Sequence, residues 1–227
     1  ERKNMEIHMY TAEAVTARMF YQRLNDEEKS GLTRFNDGID TSRFVLIGAG
    51  KLADAILQQC LHNDIFEDDK TVRVDVVHPQ ARQAAERFAR HYPCYVMDDK
   101  TARVAEAGAT LVPEDDLWLK EKVLPRIDYH SLPVSARGQI EWAEKHLSVA
   151  QMEKTDTTIA VVFDDFSEAV AVLRAIEPVL RWNTGGADKK PLSLQVWVYV
   201  KSQWHGAVFH GENLKISFDA PFGIHVF

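Results

Sequence analysis

A glycine turn between two apolar segments constrains the fold of this chain more than any other stretch. Residues 44–47, Phe-Val-Leu-Ile, form the unbroken apolar run that is typical of a strand buried on both faces of a parallel sheet. The turn Gly-Ala-Gly-Lys-Leu-Ala follows at residues 48–53, and apolar side chains then recur at helical spacing. A strand, a glycine turn and a helix in this order are the context of a dinucleotide-binding fingerprint.

Each small residue of this turn has a physical role. Gly48 lets the chain turn sharply off the strand, and Gly50 leaves room for a pyrophosphate to approach the main chain. Ala53 keeps the following helix close to the sheet, and the helix N-terminus directs free N–H groups at the phosphates. The turn therefore predicts a nucleotide site. The alternative is a tight strand-to-helix turn in a Rossmann-like domain that has no ligand.

Composition and charge narrow the class of protein. The chain has 227 residues, 45% of them hydrophobic, which is enough for one large α/β domain with appendages. The net charge of −7 argues against nucleic acid as a partner, and no apolar run reaches the ~20 residues of a membrane span. Two cysteines and no secretory signal indicate a reducing, cytoplasmic compartment. The start at Glu1 indicates a fragment of a longer protein, or else a processed or tagged terminus.

Strands and helices alternate over much of the chain. The sequence predicts an N-terminal helix over residues 9–24 that Thr11 caps, and then a polar linker. Further strands are predicted over 72–77, 157–163 and 192–201, and helices over 80–91 and 168–182. This alternation predicts a Rossmann-like, doubly wound parallel α/β sheet.

The middle and the end of the chain show weaker patterns. Residues 94–97 could form a short third strand, and residues 98–150 read as an irregular helical insertion. We therefore divide the chain into an N-terminal helix and linker, a Rossmann-like domain and a C-terminal tail, at residues 1–42, 43–203 and 204–227.

The ligand of a doubly wound sheet lies beyond the carboxyl ends of the strands. There the second strand ends at His78, where a NAD site has an acid, and Pro79 follows. His78 could bond a ribose or a phosphate, and Arg82 could favour a 2′-phosphate; alternatively, His78 and Pro79 only end the strand. Asp75 should point to a different face, because it lies three residues earlier.

Asp164 and Asp165 follow the buried strand at 157–163 and reach the same rim. They could contact a ligand, bind a metal or serve as acid and base. Capping of the next helix is the favoured interpretation. The sequence contains no H-E-x-x-H, G-x-S-x-G or Walker motif, so we expect no enzyme and no catalytic residues.

Three stretches together are similar to a known family. Residues 45–53, the second strand that ends at His78, and residues 159–165 with the helix that follows resemble the TrkA-N domain, also called the RCK or KTN domain. Domains of this family regulate potassium channels and transporters from the cytosolic side. The likeness covers residues 43–97 and 157–201.

The resemblance implies a sensor that binds NAD(H) or an adenine nucleotide. Its phosphates would lie over Gly48, Ala49, Gly50, Lys51 and Leu52, its ribose would lie at His78, and Asp164 would border the pocket. It also implies a homodimer on the cytosolic side of an inner-membrane channel or transporter. Two alternatives stay open: an NAD(P)-dependent oxidoreductase, and a ligand-free dimerisation module.

Overall fold

The computed structural model describes the chain in segments. These are residues 11–26, 41–63, 71–98, 108–113, 124–147, 155–184, 194–199, 201 and 223–226. Within them, five helices flank one eight-stranded sheet. No helix of these segments is long and apolar enough to cross a bilayer.

The strands and helices have the following bounds. The strands are β1 (Thr41–Gly48), β2 (Thr71–His78), β3 (Tyr95–Met97), β4 (Ala109–Pro113), β5 (Ile127–Ser131), β6 (Thr155–Val162), β7 (Leu194–Val198) and β8 (Gly223–Val226). The helices are α1 (Ala12–Asp26), α2 (Lys51–Asn63), α3 (Ala81–His91), α4 (Ala136–His146) and α5 (Phe166–Thr184).

The sheet has the strand order β3-β4-β5-β2-β1-β6-β7-β8. In this order, the six adjacent strands that begin with β5 and end with β8 pair in parallel, whereas β4 pairs antiparallel with both β3 and β5. When the parallel strands are counted among themselves, their order is 3-2-1-4-5-6, the order of dinucleotide-binding domains. The predicted Rossmann-like fold is confirmed, and its strand order reverses between β1 and β6.

Two apolar cores hold the sheet between its helices. On one face, α1, α2 and α3 bury residues such as Phe20, Ile56 and Phe88 against Phe44 and Val74. On the other face, the core is formed by side chains of α4, α5 and the strands, among them Trp142, Leu173, Val45 and Ile159. The central strand β1 is therefore buried on both sides, as its apolar run predicts.

Helix α1 is the appendage that the sequence predicts before the glycine turn. The Ala14 amide donates to the Thr11 hydroxyl at 3.2 Å, so Thr11 caps the helix as expected. The ring of Phe20 packs edge-on against Trp197 of β7, with 5.5 Å between the ring centroids. The helix thus covers the sheet on the side of β7 and packs beside α2.

The middle of the chain differs from its prediction. The described part of residues 98–150 contributes two strands and one helix, and β5 is the third strand of the parallel sheet. Residues 95–97 form a strand, but at an antiparallel edge. The sequence analysis did not recognise β5 because Ile127 and Tyr129 alternate with charged or polar residues that are partly buried. The five-residue strand therefore lacks an apolar run.

The end of the chain also contributes to the sheet. β8 lies in the predicted C-terminal tail and pairs in parallel with β7. Most of the polar linker predicted after the N-terminal helix, residues 27–40, lies outside the described residues.

Candidate functional site

Gly48 is required by the close approach of two strands. A Cβ atom built on Gly48 would lie 1.8 Å from the main-chain oxygen of Val162, at the end of β6. The amide of Ala49 donates to the same oxygen at 3.2 Å. The first glycine of the turn is therefore needed to join β1 to β6 whether or not a ligand is bound.

Gly50 has a different environment. Its φ of 105° is a backbone conformation that residues other than glycine rarely adopt. A Cβ atom built on it would lie 2.9 Å from Oδ2 of Asp164. The carboxylate of Asp164 thus occupies the side of the turn that a pyrophosphate would approach. Asp164 is exposed, so its side chain has room to turn away into solvent.

The start of α2 carries the polar groups that an anion site needs. The Asp54 amide closes the first helical turn onto the Gly50 carbonyl at 3.1 Å, so the earlier amides of the helix have no intrahelical acceptor. Lys51 is exposed at the first position of this helix, whereas Leu52 is buried beneath it. Free amides, the helix dipole and a lysine together attract a phosphate.

Asp165 caps the next helix. Its Oδ1 accepts hydrogen bonds from the amide and the hydroxyl of Ser167, at 2.8 and 2.7 Å. This confirms capping for Asp165, whereas Asp164 faces Gly50. The two adjacent acids therefore have different surroundings, and only Asp164 stands on the ligand side of the turn.

Two residues that the sequence analysis did not single out complete this part of the rim. Tyr199 lies just after β7, and its pKa is raised by partial burial and by the nearby carboxylates of Asp164 and Glu13. The pKa of Glu13, in the first turn of α1, is lowered mainly by a hydrogen bond to the main chain, with help from Thr11 and Lys51. No sequence motif could reveal this juxtaposition, because α1, α2 and β7 are distant along the chain.

His78 lies on the other side of the turn, at the end of β2. It is buried, and its Nδ1 accepts a hydrogen bond from the Gln80 amide at 2.8 Å. Burial, and after it the charge of Arg87, lowers the pKa of the imidazole, so the ring is neutral near pH 7 and its hydrogen is on Nε2. A hydrogen-bond donor therefore stands where a classical NAD site has an acidic acceptor.

The surroundings of His78 include charges from two helices. The Asp54 carboxyl interacts with His78 and Arg87, and its pKa is raised because desolvation outweighs the effect of these neighbours. Arg82 extends along α3, where its Nε donates to Glu86 Oε1 at 3.3 Å. Pro79 is exposed in the turn after β2.

The structure therefore places the predicted residues around one rim, with the glycine turn in the middle. Asp164 contacts the turn from the β6 side, and His78 flanks it on the β2 side. Within the described segments, no group of three His, Cys, Asp or Glu side chains could hold a metal ion.

Asp75 belongs to a second polar cluster, which the sequence analysis missed. As expected, it points to the face opposite His78. Asp75 is fully buried, and its Oδ2 accepts from Arg43 Nε at 2.6 Å. Its Oδ1 lies 2.9 Å from His130 Nε2 and 3.2 Å from Arg73 Nη2.

The electrostatics of this cluster hold Asp75 ionised. Burial alone would raise the pKa of its carboxyl, but the hydrogen bond from His130 and the charges of Arg43 and Arg73 lower it to about 2. The partners lie on β1, β2 and β5, more than thirty residues apart in two of the three cases. The only signal in the sequence was a single Asp within a strand, and it did not identify these partners.

Comparison of the chain with known protein families, with curated proteins and with solved structures finds no match. The resemblance to TrkA-N domains therefore stays a prediction.

Proposed function

We propose that this chain is a nucleotide-binding regulatory domain that binds NAD(H) or an adenine nucleotide at its glycine turn. The observation that carries the proposal is the position of the turn. It lies at the reversal of strand order between β1 and β6, the place where ligands bind in open α/β sheets.

The chemistry of the turn supports a phosphate-bearing ligand. Gly50 has no side chain, the first amides of α2 point towards the rim, and Lys51 adds a positive charge. The neutral His78 on the β2 side can donate a hydrogen bond from Nε2 to a ribose hydroxyl or a phosphate oxygen.

Asp164 makes this binding conditional. Its carboxylate faces Gly50, so a pyrophosphate can settle on the turn only if the Asp164 side chain turns away or is neutralised. The domain then has two arrangements of the rim, one closed by Asp164 and one open to the nucleotide. A ligand that binds only the open arrangement shifts the population between them, which is the basis of regulation.

The assembly and the location of the protein follow from the resemblance alone. In this proposal the domain pairs as a homodimer on the cytosolic side of a potassium channel or ion transporter-like membrane protein. The nucleotide alters the pairing, and the pairing acts on the membrane part.

A ligand-free dimerisation module is the second candidate, and one observation favours it. Gly48 is explained by its contact with Val162, and the space over Gly50 already contains the protein's own carboxylate. Both glycines then serve the fold.

Calorimetric titration of ADP and NADH into the wild type and two variants separates the candidates. Asp164→Asn removes the charge that faces Gly50, and we expect it to tighten binding about fivefold, because two charges ~4 Å apart in water repel by about 1 kcal/mol. Glu168→Gln is the matched control, since Glu168 is an exposed acid in the first turn of α5. It should change the affinity by less than about twofold.

Two results would count against the nucleotide site. Binding absent from the wild type and from Asp164→Asn would leave the ligand-free module. An equal gain in both variants would show a general charge effect rather than a role for Asp164.

A further inference from the structure

A groove of about 680 Å³ opens beside α4, away from the glycine turn. Its walls are β4, β5 and the side of α4, and among its lining residues are Thr110, Asp128, His130, Glu141, Trp142 and His146. The volume lies in the range of small-molecule sites. It adjoins the cluster around Asp75 through His130, which belongs to both.

The buried carboxylate of Asp75 determines the tautomer of His130. Asp75 is ionised and can only accept, so the His130 Nε2 that lies 2.9 Å away must carry a hydrogen and donate it. In the neutral ring, Nδ1 is then an acceptor. Within the described segments it has no hydrogen-bond partner.

Two aromatic side chains of α4 form the apolar wall of the groove. Trp142 and His146 stack at 18° with 5.2 Å between their ring centroids. Burial lowers the pKa of His146 to about 4, so this ring is neutral near pH 7. The buried Nε1–H of Trp142 has no hydrogen-bond acceptor in the described part of the chain.

The charges that line the groove largely compensate one another. Asp128 and Glu141 are acidic, and Lys145 is a basic lining residue. Asp128 accepts from Thr110 and Arg126, at 2.8 and 3.0 Å, and Glu141 accepts from Arg137 Nε at 2.8 Å. The groove therefore favours an uncharged ligand, whose hydroxyl groups find acceptors on His130 and Glu141.

We propose that this groove binds a small, uncharged, hydroxyl-rich molecule of the sugar or polyol class. His130 Nδ1 accepts a hydrogen bond from one hydroxyl, and Glu141 accepts another. The C–H face of the ligand packs against the wall formed by Trp142 and His146, as apolar ring faces do. This site is independent of the glycine turn.

Long-range ¹H–¹⁵N spectra of the histidine rings test the proposal directly. They report which nitrogen of His130 carries the hydrogen, and we expect Nε2. The probes are D-ribose, D-glucose, myo-inositol and adenosine, with ribose 5-phosphate as the charged counterpart of ribose. At least one neutral probe should shift the His130 Nδ1 resonance, and ribose 5-phosphate should bind more weakly than ribose.

Substitutions on the exposed side of α4 locate the site without threatening the fold. Glu141→Gln should weaken the neutral probe about tenfold, because a hydrogen bond to a charged group is lost. Glu144→Gln removes an equally exposed acid of α4 that does not line the groove, and it should leave binding unchanged. Asp164→Asn, at the glycine turn, should also leave it unchanged.

Three results would overturn the proposal. They are a hydrogen on Nδ1 in the free protein, no shift with any of the four neutral probes, and tighter binding of ribose 5-phosphate than of ribose. None of them bears on nucleotide binding at the turn.

Discussion

The glycine turn and the cluster around Asp75 differ in how their charges meet the solvent. At the turn, Lys51, Asp164 and Asp165 are exposed, and water screens them. In the cluster, Arg43 and Asp75 are at most 1% exposed, so their interaction is strong and the loss of either partner is costly. The Asp164 side chain therefore has room to turn into solvent, as the proposed nucleotide binding requires, whereas the cluster is a permanent part of the fold.

We expect the largest loss of stability at Gly48, the residue of the turn that the fold itself requires. Gly48→Ala places a Cβ atom 1.8 Å from a main-chain oxygen, so the strands must separate. We expect a loss of about 5 kcal/mol in unfolding free energy, measured by urea denaturation if the variant folds at all. Gly138→Ala is the comparison variant: its new methyl would lie 2.7 Å from Pro133 Cβ and 3.1 Å from Ser135 Oγ, side-chain atoms before α4 that can shift without separating two strands, so it should cost less. A loss at Gly48 as small as that at Gly138 would contradict the account.

We expect the next largest loss of stability when the buried pair of Arg43 and Asp75 is disrupted. Asp75→Asn leaves the Arg43 guanidinium buried without a counter-charge, and we expect a loss of about 3 kcal/mol. Asp128→Asn removes a carboxylate whose partner Arg126 is half exposed, and it should cost less than about 1 kcal/mol. Equal losses in the two variants, measured by chemical denaturation, would show that burial does not distinguish this cluster.

Acid should destabilise the protein in two steps, one from His146 of the groove wall and one from Asp75 of the cluster. The pKa of the His146 imidazole is lowered from 6.5 to about 4. Between these pH values the unfolded chain binds a proton that the folded chain does not bind, so the free energy of unfolding falls as the pH drops from 6.5 to 4. The pKa of Asp75 is lowered from 3.8 to about 2, so a further ~2 kcal/mol is lost as the pH falls through that window.

Denaturation midpoints measured from pH 7 to pH 2 check both steps. His146→Gln should flatten the upper step and leave the lower one, and Asp75→Asn should do the reverse. If both variants keep the wild-type profile, other groups cause the acid sensitivity.

The smallest effect separates the two adjacent acids of the rim. Asp165→Ala removes the cap of α5 and should cost about 1 kcal/mol, whereas Asp164→Ala should change stability by less than about 0.5 kcal/mol. Thermal melting measures both. A larger loss at Asp164 would show that its contact with Gly50 stabilises the fold.

The sequence predicted the parts of the molecule that depend on local patterns. The structure confirms the strand before Gly48, the helix after Gly50, the cap at Thr11 and the helix predicted over residues 80–91. Each follows from neighbours within one or two turns of chain, where period and steric demand suffice.

The parts that depend on distant pairs could not be predicted. Ile127 and Tyr129 are the buried residues on one face of β5. On the other face His130 contacts Asp75, which is fifty-five residues away along the chain. The orientation of Asp164 towards Gly50 depends on the register of β1 and β6, which no local pattern encodes. The groove beside α4 arises from the same long-range pairing.

Amide chemical-shift mapping with ADP tests the central claim most directly. The account predicts that the largest shifts occur at the amides of residues 49–52, that they grow in Asp164→Asn, and that adenosine without phosphates does not produce them. An ADP titration that leaves these amides unmoved in both proteins, or that shifts only the residues around His130, would contradict it.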